Sequence, residues 1–177
     1  MTKYELPLGD EMNPNESGFS VILYKKLIRN WHEKATTEDY FSKFVFEYLA
    51  FSAIIRKYVN ATSKGDRDAI ELLKSDEDIK QSYLLKINPE EDRTKLIEYL
   101  KENPVVNGKK KVYIRDNKDW LNMIELIYSV RNNMFHGCKD PEDKRDQFLV
   151  EHAYKLLRPL VEILLHSKGM GGEIDED

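Results

Sequence analysis

The chain contains a single cysteine, Cys138, which excludes an internal disulfide and any multi-cysteine zinc site. A lone thiol fits a reducing compartment, so cytoplasm is the expected location. Long apolar runs are also missing: no stretch approaches the roughly 18 uninterrupted residues a membrane-spanning helix needs. The first residues carry Glu5, Asp10, Glu11 and Glu16, without the basic start and apolar core of an export signal. His32, His152 and His166 stand at no metal-ligand spacing, and neither a metal nor a cofactor is expected. Nor is there an excess of positive charge. Twenty-eight basic residues against thirty-two acidic ones leave a net charge of -4, so any nucleic-acid binding must use a local patch.

What is present is a globular composition, 41% hydrophobic and 34% charged, in 177 residues, enough for one core. There is no internal repeat and no linker. The expected organisation is a flexible N-terminal segment (1–18), one helical domain (19–166) and a disordered acidic tail (167–177), glycine-rich from Gly169.

Apolar residues at helical spacing from Phe19 to Trp31 predict an amphipathic first helix. A second helix is expected from a cap at Thr36 or Thr37, with Glu38 and Asp39 at its positive end, to about Val59. Phe44 to Phe51 leave it apolar almost all round, which places it at the centre of a bundle or in a dimer interface. Weaker helices are expected over Arg67 to Leu85 and Glu91 to Lys101, the latter ended by Pro104. Asn107-Gly108 then predicts a short hairpin or an irregular loop. A helix from about Asn117, capped by Asp116, should run to Phe135 with Gly137 as its left-handed terminator. A final helix should start at Asp140-Pro141, reach about His166, and kink near Arg158 because of Pro159. The expected fold is all-α: an antiparallel bundle of about five or six helices with a short β-hairpin insertion.

The segment Arg131-Asn132-Asn133-Met134-Phe135-His136-Gly137 carries the chemistry. Arg131 falls on the apolar stripe of its helix, through Trp120, Ile124, Ile127 and Met134, where a buried guanidinium needs an acid, a wet cleft or a subunit boundary. His136 belongs to a polar stripe with Asn122, Glu125, Ser129, Asn132 and Asn133. Five residues on a regular helix amount to a rotation of roughly 140° and a rise of about 7.5 Å, so the pair does not meet by spacing alone. A helix end that turns His136 inward, or a two-fold axis that pools the residues of two chains, is required.

Histidine titrates near neutrality, and arginine offers phosphate a permanent planar fork. Together they supply the base and the cation that metal-free RNA cleavage needs. Asn132 or Asn133 can hold ribose or imidazole. Glu47, the one acid in the apolar run of the second helix, can orient Arg131. Lys109, Lys110, Lys111, Arg115 and Lys118 can contact phosphates. Plainer readings stand beside these: Arg131 paired with Glu47 or Glu125, His136 capping its helix, the asparagines as helix-terminal residues, and the lysines as a solvated turn.

The stretch Arg131 to Gly137 resembles the arginine, polar residue, spacer, histidine signature of HEPN domains. Tyr48, Ala50, Phe51, Ser52 and Ala53 resemble their aromatic-rich second helix, and the likeness covers about residues 19 to 166. It implies a homodimer with the motif at or near the interface, and an endoribonuclease of the kind found in toxin, phage-defence and RNA-processing systems. Arg131 and His136 would be catalytic and Asn132 the adjoining polar member, with RNA as substrate and an antitoxin or regulatory partner for a toxin. Family toxins inactivated by a nucleotidyltransferase often carry tyrosine two positions after the histidine, where this chain has Cys138. The alternative is a non-catalytic HEPN module that binds a partner, nucleotide or RNA.

Overall fold

A computed structural model describes residues 18–36, 39–58, 65–87 and 91–167. The N-terminal segment before Gly18, the acidic tail, Thr37, Glu38 and Val59 lie outside the described residues. Helix α1 (Gly18–Lys34) is followed by α2 (Tyr40–Tyr58). Asp39, rather than a threonine, caps α2. Its Oδ1 accepts the amides of Phe41 (2.8 Å) and Ser42 (3.2 Å). Thr36 instead donates to the Glu33 carbonyl (2.7 Å) and closes α1. A carboxylate one residue before the helix reaches the free amides and adds charge at the positive end of the dipole.

Helix α2 packs against α1 and the long final helix, which is why an almost wholly apolar helix is stable here. Phe44, Tyr48, Phe51, Ile54 and Ile55 are buried in it.

The segment expected to be one helix from Arg67 to Leu85 is two, α3 (Asp66–Lys74) and α4 (Glu77–Lys86). Asp76 makes the break, because its Oδ1 takes the Ile79 amide (2.9 Å) and starts a new helix. After α5 (Glu91–Glu102), β1 (Val105–Asn107) and β2 (Lys110–Val112) pair antiparallel, Val105 opposite Val112. Gly108 stands in the turn at φ 60°, a conformation that favours glycine.

Helix α6 (Trp120–Phe135) starts later than expected, since Asp116 accepts the Lys118 amide (2.7 Å) in a turn instead of capping. Helix α7 (Lys144–Ser167) is capped by Asp143 through the Asp146 amide (2.9 Å), while Asp140 and Pro141 form the preceding turn. Helix α7 is continuous through Pro159. The buried Tyr83 hydroxyl donates to the Leu156 carbonyl (2.8 Å), in the turn where proline supplies no amide. The protein is thus an all-α bundle of seven helices among the described residues, with a two-stranded hairpin and one continuous buried core.

Asp119 sits at the start of α6 and its carboxylate turns back to Arg115, accepting from its backbone amide (2.9 Å), Nε (2.9 Å) and Nη2 (3.1 Å). Burial pushes this carboxyl up, but the Arg115 and Asn122 hydrogen bonds outweigh it and hold the group at about 2. A depressed folded value stabilises the protein above the unfolded carboxyl value of about 4. That stability is lost as pH falls through the folded value. Asp119→Asn is expected to lower stability by about 2 kcal/mol near neutrality. Urea midpoints of the two proteins should converge on acidification through that window, and parallel curves would contradict the assignment.

Candidate functional site

Arg131 lies in the last turns of α6 with its side chain 26% exposed. Its guanidinium carbon is 5.4 Å from the Tyr48 ring centre on α2 and 4.8 Å from that of Phe135, one turn further along α6. Attraction between a cation and two ring faces offsets part of the cost of removing the charge from water. Nη1 donates to Asn132 Oδ1 (2.9 Å) and Nη2 to Asp66 Oδ2 (3.4 Å). Among the described residues Nε is buried without a hydrogen-bond partner, as is the Tyr48 hydroxyl, whose pKa burial pushes well above the usual phenol range.

Asp66 opens α3 and accepts more closely from Arg56, at 3.2 Å from Nε and 3.0 Å from Nη2. Asp66 is therefore shared between two arginines and holds Arg131 with the longer contact.

Neither acid expected beside Arg131 is its partner. Glu47, fully buried, faces α1 and α7, where it meets His32 Nδ1 (2.7 Å) and Arg158 (3.7 Å). Burial raises the Glu47 carboxyl, against the lowering effect of His32 and Arg158. Glu125 is taken by α3: Arg67 Nη1 donates to both its oxygens (2.8 and 2.9 Å), and Lys74 Nζ also binds it. The polar stripe of α6 is accordingly not a uniformly wet face. Glu125 and Ser129 are buried, the first beneath α3 and the second against the hairpin, where Asn107 Nδ2 donates to Ser129 Oγ (3.2 Å).

His136 is the residue at which α6 ends, with φ -91° and ψ 9°. The next residue, Gly137, has φ 68°; its amide bonds to the Met134 carbonyl (3.0 Å), and the Cys138 amide to that of Asn133 (2.8 Å). This is a Schellman closure, in which backbone amides satisfy the last carbonyls. The imidazole is therefore not needed as a cap. It is exposed, and among the described residues it forms no hydrogen bond or ion pair. Asn132 holds Arg131, whereas Asn133 Nδ2 donates to the Val106 carbonyl (3.0 Å) and fastens α6 to the hairpin. No hydrogen bond joins Arg131 to His136 within one chain; both open onto solvent at the same helix end.

The basic cluster is divided. Arg115 is tied to Asp119, while Lys109, Lys110, Lys111 and Lys118 are exposed. Sequence reasoning missed Asp66, Arg56, Arg67 and Lys74, because pairs separated by up to 65 residues leave no local pattern. Tyr48 stands in the aromatic run of the second helix and Phe135 in the motif, but their contact with the Arg131 guanidinium has no signal in the sequence.

Among the described residues no helix is long and apolar enough to cross a membrane, and no cluster of three or more His, Cys, Asp or Glu is placed to hold a metal. No protein-family model, curated protein or solved structure matches the chain.

Proposed function

We propose that this protein is a metal-independent endoribonuclease of the HEPN type, acting in the cytoplasm as a homodimer with the α6 motif at the boundary between two chains. The observation that carries the reading is the state of Arg131. A permanent cation is held at the surface between two aromatic rings, with a shared carboxylate at 3.4 Å as its only acid among the described residues. Charge-assisted bonds of this type usually span about 2.7–2.9 Å, so Asp66 is a loose counter-ion that an incoming phosphate can replace.

In the reaction His136 takes the proton of a ribose 2′-hydroxyl. The 2′-oxygen bonds to the adjacent phosphorus and the bond to the 5′-oxygen breaks, that oxygen leaving with the proton that the His136 imidazolium returns. Arg131 stabilises the charge on the pentacoordinate phosphate, and Asn132 orients the arginine. The other strand end is a 2′,3′-cyclic phosphate. Because the two side chains are not joined within one chain, a two-fold arrangement that brings the arginine of one copy to the histidine of the other completes the site. An antitoxin or other regulatory partner would restrain such an activity.

The Asp66 contact also favours a second reading: a non-catalytic HEPN module in which the arginine is neutralised and the protein only binds. The test is incubation of the purified protein with a mixed RNA pool in chelator, with mass analysis of the ends. Cyclic phosphates that disappear with Arg131→Ala and with His136→Ala are expected. Cleavage that survives both substitutions removes the first reading, and binding without turnover selects the second.

A further inference from the structure

Two turns before the motif, α6 forms the floor of an open groove of about 390 Å³, with α3 as one wall and the hairpin as the other. Four cations line it, Arg67 and Lys74 from α3 and Lys110 and Lys111 from β2, against two acids, Glu71 and Glu125. Four minus two leaves a local charge of +2 in a chain whose total is -4. The two acids are spent within α3 and α6: Glu125 holds Arg67 and Lys74, and Glu71 pairs with the same two residues. Lys110 and Lys111 are exposed and, among the described residues, have no carboxylate partner. The groove therefore presents unneutralised cations along the hairpin wall.

Its other surfaces are suited to flat apolar groups. Leu121 on the floor is 53% exposed. The Arg67 guanidinium lines the groove and is backed, outside the lining, by the Tyr128 ring at 5.4 Å, which leaves a flat cationic plane. Base faces stack on such planes, and only an unpaired strand offers them, since a duplex keeps its bases inside. From the level of Glu125 to that of Asn132 is about 10 Å along α6, at 1.5 Å per residue. The α3 wall carries Arg67 in the groove and Asp66 on Arg131, so the groove ends beside the motif arginine.

We infer that the groove between α3 and the hairpin binds single-stranded RNA, with Lys110 and Lys111 on its phosphates and the Arg67 plane against a base, and feeds the strand to the end of α6. The inference rests on the ribonuclease reading for the fate of the strand but not for its binding.

The experiment uses the full-length His136→Ala protein, which keeps the RNA intact, and fluorescence anisotropy of a short labelled unpaired RNA across a salt series in chelator. Lys110→Glu with Lys111→Glu is expected to weaken binding more than about tenfold and to reduce the salt slope by about 1.4, near 0.7 for each lost phosphate contact. Lys26→Glu with Lys101→Glu makes the same charge change on exposed lysines outside the groove and should reproduce neither effect. The matching duplex should bind at least about tenfold more weakly, because stacking is unavailable to it. Circular dichroism melts keep folding defects apart from binding defects. Unchanged affinity in the Lys110/Lys111 variant, an equal loss in the control, equal binding of the duplex, or equal binding of a polyglutamate of the same charge would each overturn the inference.

Binding by His136→Ala without cleavage by the unsubstituted protein leaves the groove standing and removes the ribonuclease reading. Cleavage that ignores the Lys110/Lys111 change, with unchanged binding, does the reverse.

Discussion

Alanine at Arg131 or at His136 is expected to slow RNA cleavage by about 100- to 10,000-fold, the range over which a general base or a transition-state cation acts. The cause differs between the two positions, and so does the structural cost. His136 is exposed and unengaged at the helix end, so its loss should leave the melting midpoint unchanged. Arg131→Ala also removes the contacts with Tyr48, Phe135 and Asp66, a loss of about 1 kcal/mol. Lysine at 131 keeps the charge and forfeits the planar fork, and its rate should fall between wild type and alanine.

Mixing the two alanine variants then tests the two-chain site. If a cleft takes its arginine from one copy and its histidine from the other, half of the dimers formed are mixed and each regains one intact site, so roughly a quarter of wild-type sites return. No recovery, with subunit exchange shown independently, would place both residues of each site in one chain.

The second large effect is expected at Glu125. Its side chain is 9% exposed and that of Lys74 is 10%, and Arg67 completes the cluster. Burial works against the ionised carboxyl, yet the hydrogen bonds from Arg67 and Lys74 hold its pKa below the ordinary value. Glu125→Ala leaves the nearly buried Lys74 ammonium and the Arg67 guanidinium with Glu71 as their remaining acid. Removal of one partner from a fully buried pair costs about 3–5 kcal/mol; the remaining Glu71 and the open groove reduce this to about 2 kcal/mol, a fall of about 5 °C in the melting midpoint for a chain of this size. Glu125→Leu combined with Lys74→Met removes the charges together and should recover part of the loss.

A lowered folded pKa contributes stability above the unfolded carboxyl value and loses it as pH falls through the folded one, so wild type and Glu125→Ala should approach each other in acid. A Glu125→Ala protein within 1 kcal/mol of wild type at neutral pH would show that the cluster is better solvated than its burial implies.

Much of the fold could be read because its signals are local. Gly108 at φ 60° and Gly137 at φ 68° do what their places in a hairpin and beyond a helix suggest. The apolar stripes located the helices. The errors lie at helix starts, where more than one residue can cap or a cap falls inside an apolar period. Asp39, Asp76 and Asp143 each win by standing immediately before the helix, and Asp76 divides a segment whose apolar period runs on through Ile70, Leu73, Ile79 and Tyr83.

The motif residues were legible as types, and their surroundings were not. A polar stripe is read as a wet face, but on α6 a second layer covers Glu125 with α3 and Ser129 with the hairpin. Such covering depends on contacts between distant parts of the chain, which periodicity does not record.

Helix α3 is nine residues long, and its first two residues serve different places: Asp66 reaches Arg131 and Arg67 reaches Glu125. At its other end the Lys74 carbonyl accepts the Trp120 indole N–H (3.0 Å). One short rigid rod therefore sets the arginine of the motif, the wall of the groove and the seat of the buried tryptophan. These three cannot drift independently. A substitution that rolls α3 on the bundle should shift all three together, and Trp120 emission, read in a Trp31→Phe background because the chain has two tryptophans, should report on both ends of α6.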